Sequence, residues 1–376
     1  MGLTSVPLLV LFILITLGAM TAVVLLWPRV GSRSLRAYAG RVGLLAVAQL
    51  TLLATIALGT NSYFGFYGSW SDLFAITTGG IGASTAPPAG APITINSTGG
   101  LAMPNGDEPT KAGQLEDVTI RGLRTGLTEH ALIYLPPQYF QPEFRHTQFP
   151  AAIVSTGYPG DVTALVSRLR YPIRLATAID LGQDKPMVLV MMSPEVVGSR
   201  DTECTNVPGG PQAESFWAQD VPDAVERTFR VTPAAAGWGA IGDSTGGYCA
   251  AKLAMMNSDR FSAAASLSGY FSIGEDPTTG DIYGNQNFQA QNDLMWRVQN
   301  LPPPPVSLLL TTSKIGEDNY GPCLEFAGAA KSPLSVSLLV RSQGGHNFNT
   351  WNSEIPVALQ WLSSRLSTPP PQTPTI

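Results

Sequence analysis

The segment Gly242-Asp243-Ser244-Thr245-Gly246-Gly247 holds a serine between two glycines in a Gly-x-Ser-x-Gly pattern. With 38 glycines among 376 residues the pattern alone says little. Its surroundings say more. An apolar strand, Gly237–Ile241, is predicted directly before it, and a small-residue helix containing Tyr248-Cys249-Ala250-Ala251 directly after it. A strand, a sharp turn and a helix are what lift a serine hydroxyl clear of the backbone, provided the residues two before and two after it lack bulk. The free N–H groups of the following helix then face the oxyanion that forms when the hydroxyl attacks a carbonyl.

A serine hydroxyl is a weak nucleophile and needs a base. Of three histidines, His346 is best placed, in Gln343-Gly344-Gly345-His346-Asn347 just past the last predicted strand. His130, at the start of an early strand, and His146, in a loop, are read as structural or surface residues. Where the serine sits on such a turn, the chain order is serine, acid, histidine, with the acid after a late strand. Strand Val306–Thr311 leads into a loop with Glu317 and Asp318 side by side. Glu317 is the preferred acid and Asp318 the alternative. Two backbone N–H groups must bind the oxyanion: that of Thr245, after the serine, and one from the loop following strand Pro150–Ser155, either Tyr158 or Gly157.

The elements that must carry these residues alternate. Apolar strands are predicted at Ala131–Leu135, Pro150–Ser155, Met187–Met192, Gly237–Ile241, Ser262–Leu267, Val306–Thr311 and Leu334–Val340. Helices fall between several of them: Thr163–Ile179, broken or kinked at Pro172, then Ala218–Phe229 and Gly246–Met256. Continuous apolar strands alternating with helices imply an α/β fold, a mostly parallel sheet covered on both faces, over residues 115–368. Residues 75–114, rich in Gly, Ala, Pro, Thr and Ser, read as a flexible linker. The segment 369–376 reads as a disordered tail.

Composition removes several functions. The net charge is −5 overall and +3 over residues 1–74 (four Arg, one Asp), hence −8 beyond them. An acidic domain without a Lys/Arg cluster is a poor binder of nucleic acid. The three cysteines lie far apart and no His-Glu-x-x-His helix occurs, so no cofactor and no Cys/His metal site is expected.

The N-terminal region, 1–74, has a different character. Residues 6–27 are uncharged, and at 1.5 Å per residue they reach roughly 33 Å, enough to cross a bilayer core of about 30 Å. A second uncharged run covers 42–59. A cleaved signal peptide is the competing reading, but it needs basic residues before the apolar run, and here the first is Arg29, after it. Arg29, Arg33, Arg36 and Arg41 fall in the connection between the runs, and neither flank carries a nearby basic residue. The positive-inside rule places the connection in the cytoplasm and both chain ends outside the plasma membrane. Two spans without an intramembrane charge offer no ion path. Tyr63, Phe64, Phe66, Tyr67 and Trp70 suit the outer membrane interface or a docking patch.

Taken together, Leu135-Pro136-Pro137-Gln138-Tyr139, Gly157-Tyr158-Pro159-Gly160, Asp201-Thr202-Glu203-Cys204, the Ser244 segment and Gly344-Gly345-His346-Asn347 with Trp351 resemble the "Putative esterase" family of α/β-hydrolases. That family holds esterase D-like enzymes and secreted mycolyltransferases. The likeness covers about residues 115–366. With the paired spans and Asn61-Ser62-Tyr63-Phe64-Gly65-Phe66-Tyr67, the chain resembles actinobacterial membrane-attached members. The resemblance implies the α/β-hydrolase fold and a serine esterase or acyltransferase working through an acyl-serine on acyl esters or envelope lipids. The alternative is an idle hydrolase domain that binds or scaffolds at the outer membrane face. One departure is Thr156, where many hydrolases have His or Asp.

An outward-facing domain can be oxidised. Cys249 follows Ser244 by five residues, and Cys204 lies in a long loop at the same end of the sheet, so Cys204–Cys249 is the preferred disulfide. Cys204–Cys323 and three free thiols are the alternatives.

Overall fold

The computed structural model describes residues 5–64, 70, 91–104, 106–198 and 200–368, which fall into two compact units, Met1–Ala83 and Ser84–Ile376. Phe66, Tyr67, the linker positions 75–90 and the tail 369–376 lie outside the described residues.

The first unit is a helical hairpin. Helix α1 (Val6–Leu26) passes through a short 3₁₀ turn, Trp27–Val30, and α2 (Leu35–Phe64) returns. Helix α2 begins seven residues before the apolar run does, and so takes Arg36 and Arg41 into its first turns. Arg41 explains the early start: its Nε donates to the Val30 carbonyl at 2.7 Å, and its guanidinium lies over the rings of Tyr38 and Trp27. The helices meet through Thr55, whose hydroxyl is 2.8 Å from that of Thr16 and donates to the Phe12 carbonyl. Thr51 bonds back to carbonyls of its own helix. Leu14, Leu17, Val24, Leu25, Leu50 and Leu53 point outward, more than half exposed. Both helices are long and apolar enough to cross a membrane.

The second unit is built on a nine-stranded sheet in the order β1-β2-β3-β5-β4-β6-β7-β8-β9. The strands are β1 (Ile93–Gly100), β2 (Gln114–Arg121), β3 (Thr128–Leu135), β4 (Ala151–Ser155), β5 (Val188–Met192), β6 (Trp238–Asp243), β7 (Ala263–Leu267), β8 (Ser307–Ser313) and β9 (Ser335–Arg341). The contacts β1–β2, β2–β3 and β3–β5 are antiparallel, and all others are parallel. Two strands escape the sequence reading. Strand β1 falls inside the segment read as linker. Only Ile93 of its eight residues is buried, and an edge strand of Thr, Ser and Gly carries no apolar alternation to betray it. It exists because β2, half-polar itself, offers it a ladder.

Burial explains why the central strands read as unbroken apolar runs. In β5, Val188, Val190 and Met192 enter one core while Leu189 and Met191 enter the other, on the opposite face. The first core packs under α5 (Val221–Thr228), α6 (Thr245–Met256) and α7 (Tyr320–Ala329). The second packs under α3 (Val162–Ser167), α4 (Tyr171–Asp180) and α8 (Phe348–Arg365). The stretch Thr163–Ile179, read as broken or kinked at Pro172, is two helices parted two residues earlier, at Arg170 in left-handed backbone (φ 56°). Pro172 does not kink it; it sits in the first turn of α4, where a missing N–H costs nothing.

Candidate functional site

Strand order reverses between β4 and β6, so the loops leaving their C-terminal ends part to opposite sides and open a crevice. Ser155 of β4 pairs with Gly242 of β6, which brings the 156–160 loop beside Ser244. Ser244 stands between β6 and α6 with φ 55° and ψ −121°, backbone that a non-glycine residue adopts only when its surroundings hold it. The hold comes from the two flanking glycines. A Cβ at Gly242 would meet the Gly246 backbone and the Ser155 carbonyl oxygen at 2.5 Å, and one at Gly246 would meet the same oxygen closer still. The Ser244 amide donates to the Leu267 carbonyl at 3.0 Å, tying the turn to β7.

His346 Nε2 lies 2.7 Å from Ser244 Oγ. The histidine precedes α8, whose N-cap is Asn347; the Asn347 side chain accepts from the Asn349 and Thr350 amides and so fixes where the loop ends. The Trp351 ring stands edge-on to the imidazole, centroids 5.2 Å apart. Desolvation holds the His346 pKa below its ordinary value, with the charges of Glu317 and, less strongly, Asp318 pulling it back up.

Glu317 and Asp318 follow β8, as the sequence suggests, but they differ in setting. Asp318 is exposed. Glu317 is half-buried, and its Oε1 accepts a short hydrogen bond from the Ser268 hydroxyl. Its Oε2 is buried with no hydrogen-bond partner among the described residues. Ser268 also accepts from Trp351 Nε1 at 3.0 Å, so one hydroxyl ties the Glu317 carboxylate to the ring that packs on His346. Ser268 itself has φ 50° and donates its amide to Thr311 Oγ1, whose hydroxyl donates to Glu354. Glu354 is fully buried, and desolvation pushes its pKa up to about 7. Ser268 and Thr311 carry no motif. The only signal for them in sequence is position, since Ser268 lies just past β7 and Thr311 near the end of β8, on the side where Ser244 emerges.

The two oxyanion-loop candidates lie beside Ser244. The Gly157 amide donates to Asp243 Oδ2 at 3.1 Å. Gly157 also matters for space: a Cβ there would lie 2.7 Å from Ser244 Cβ and 3.3 Å from its hydroxyl. Tyr158 follows, joined to Pro159 by a cis peptide. Asp243 is fully buried, and desolvation pushes its pKa up to about 7, against hydrogen bonds from the Gly157 amide, its own amide and the Thr156 side chain.

Thr245 opens α6, where first-turn N–H groups have no partner within the helix. A cavity of about 570 Å³ opens beside it, bordered by Tyr158, Asp201, Glu203, Tyr270 and Asp276. Cys204 and Cys249 are joined in a disulfide (Cα–Cα 5.8 Å), while Cys323 is a buried free thiol. Burial, then the charge of Asp201, pushes Glu203 up to about 8. No group of three or more metal-ligating side chains occurs among the described residues.

Residues 124–362, well over half of the chain, match the family model described as "Putative esterase". The chain belongs to this esterase family. Membership makes ester hydrolysis its reaction class. Solved structures share its α/β-hydrolase fold. An S-formylglutathione hydrolase from Agrobacterium tumefaciens is 15% identical with a TM-score of 0.58, covering 73% of this chain and 100% of its own. A ferulic acid esterase is 18% identical (TM-score 0.57; 65% and 96% covered), and the fluorophosphonate-binding serine hydrolase F of Staphylococcus aureus 17% identical (TM-score 0.53; 66% and 98% covered). At such identities the likeness speaks for the fold. No curated protein matches the sequence.

Proposed function

We propose that this esterase is a membrane-anchored serine esterase or acyltransferase, with Ser244 as nucleophile, His346 as general base and Glu317 as the acid. The observation that carries the reading is the 2.7 Å approach of His346 Nε2 to the hydroxyl of a serine on a strained turn. Ser244 Oγ attacks the ester carbonyl carbon while His346 Nε2 takes its proton. Negative charge forms on the carbonyl oxygen, where the Thr245 and Tyr158 backbone N–H groups receive it. The tetrahedral intermediate collapses, the alcohol leaves with the proton from His346, and an acyl-Ser244 ester stays behind. Water, or an acceptor alcohol in a transferase, then attacks with His346 again as base. Glu317 stabilises the imidazolium, its unpartnered Oε2 being the oxygen suited to the Nδ1–H.

The outward apolar surfaces of α1 and α2 support an anchor, and the four arginines of the connection support an arrangement with both chain ends outside the cytoplasm. In that arrangement the domain meets acyl esters or lipids of the cell envelope, and the Cys204–Cys249 bridge suits an oxidising side. A fluorophosphonate probe on membranes tests the chemistry. Wild type is expected to label and Ser244→Ala not to; labelling of Ser244→Ala overturns the assignment, and absence of labelling in wild type favours an idle binding domain. Labelling of Ser34→Cys from outside intact cells with an impermeant thiol reagent overturns the topology.

A further inference from the structure

Glu203 stands in the loop after β5, nowhere near Ser244 in sequence, yet several contacts fasten it to the nucleophile helix. Glu203 and Cys204 both have left-handed backbone, φ 47° and 49°, which two successive non-glycine residues keep only under constraint. The disulfide from Cys204 to Cys249 of α6 is one constraint. Lys252, one turn further along α6 and fully buried, is the second: its Nζ donates to the Glu203 carbonyl at 3.1 Å and to Thr205 Oγ1 at 2.7 Å.

Fastened in this way, the Glu203 carboxyl meets a tyrosine. The Tyr270 hydroxyl lies 2.8 and 2.7 Å from the two carboxyl oxygens and 2.9 Å from Thr245 Oγ1. The Tyr270 ring stacks on Tyr248 of α6, centroids 5.2 Å apart. One phenolic proton cannot serve three acceptors, so the hydrogens must run in sequence. With Glu203 ionised, Thr245 O–H donates to the Tyr270 oxygen and Tyr270 O–H to the carboxylate. With Glu203 protonated, the direction reverses and Tyr270 donates to Thr245. Either way Thr245 is clamped by its side chain, in the residue whose backbone N–H faces the oxyanion. Replacing a buried acid and lysine by apolar residues often leaves a fold as stable or more so, so stability alone gives no reason for this cluster beside Thr245.

We propose that Glu203 and Tyr270 are positioning residues, holding Thr245 so that its backbone N–H keeps its aim at the oxyanion. The inference rests on Ser244 and His346 acting as described under Proposed function. Neither side chain takes part in a bond change. Asp201 from the same loop, Lys252 from α6 and Asp276 beyond β7 are the charged groups that face Glu203, along with the Tyr270 hydroxyl.

The test uses the full chain in detergent, with p-nitrophenyl acetate turnover and the fluorophosphonate labelling rate as parallel readouts. Tyr270→Phe and Thr245→Val remove one hydroxyl each at nearly constant shape. Each is expected to lower kcat and the labelling rate about tenfold with KM little changed, since a misaimed oxyanion donor weakens the transition state rather than substrate binding. The double variant is expected to be no worse than either single, because both cut the same clamp. Thr245→Ser and Glu203→Gln, which keep the hydroxyl and an acceptor oxygen, are expected to lose clearly less than Thr245→Val and Glu203→Ala. Glu203→Ala is expected to fall with Tyr270→Phe. Full activity in Tyr270→Phe, multiplying losses in the double variant, or a rise in KM at constant kcat would overturn the proposal. Should Tyr270→Phe fail to fold, Thr245→Val against Thr245→Ser decides it alone. Wild type that labels normally while the variants are unaffected refutes only the clamp. Wild type that neither labels nor turns over refutes the serine mechanism, and the clamp with it.

Discussion

Asp243 offers the sharpest test of how the site is built, because its carboxyl is fully buried and its hydrogen bonds are known. Desolvation pushes its pKa up to about 7 in the folded protein, from 3.8 as an ordinary aspartate. Below about pH 4 the carboxyl is protonated folded and unfolded, and it costs the fold nothing. Between about pH 4 and 7 the unfolded chain releases the proton while the folded chain keeps it, so this group's contribution to stability falls as pH rises. Above about 7 the cost levels off at about 4 kcal/mol, from about 1.4 kcal/mol per pKa unit. Asp243→Asn removes the titration while leaving a side-chain oxygen for the Gly157 amide. The variant is expected to match wild type near about pH 4 and to gain on it steadily, reaching several kcal/mol by about pH 8. For a domain of this size that is a rise in Tm on the order of 10 °C. Thermal unfolding followed by tryptophan fluorescence across that range measures it. The same pH slope in Asp243→Asn and wild type would refute the reasoning, because some other group would then carry the titration. Activity gives a second arm. Asp243→Asn should keep most of kcat, whereas Asp243→Leu, with no acceptor for Gly157, frees the loop beside Ser244 and should lose about hundredfold, the usual consequence of a misplacement of about 1 Å.

Three further outcomes are expected. His346→Ala should abolish ester turnover by about 10⁴-fold, and Glu317→Ala should cost far more activity than Asp318→Ala; the reverse order, read from kcat/KM on a p-nitrophenyl ester, would move the acid to Asp318. His346 must be neutral to act as base, and its pKa is lowered, so the acid limb of kcat/KM should fall off below about pH 6.5; a limb above it would contradict the desolvated setting. Gly157→Ala should fold yet lose about tenfold or more in kcat, since the new Cβ has to displace the nucleophile or the loop; unchanged turnover would show that the loop is not seated on Ser244.

What was legible from sequence is what local physics determines. The central apolar strands needed only their composition, since helices cover both faces of the sheet there. The turn at Ser244 was legible because glycine is the only residue that fits at 242 and 246. The apolar helices were legible by length, although not the start of α2, where Arg41 caps the preceding turn from a distance. Strand β1 was not legible, because an exposed edge strand owes its existence to the ladder that β2 offers rather than to its own residues. Ser244, His346 and the Glu317–Asp318 pair could be picked out as candidates by type and order. Sequence could not divide the pair. Ser268, just past β7, and Trp351 of α8 give Glu317 a setting that its exposed neighbour lacks. Nor does it show that the Gly157 amide meets Asp243, 86 residues away in the chain. Glu203 and Tyr270 were invisible as companions of Thr245 for the same reason: hydrogen bonds across loops depend on which chain ends the sheet brings together, and strand order is a property of the whole fold.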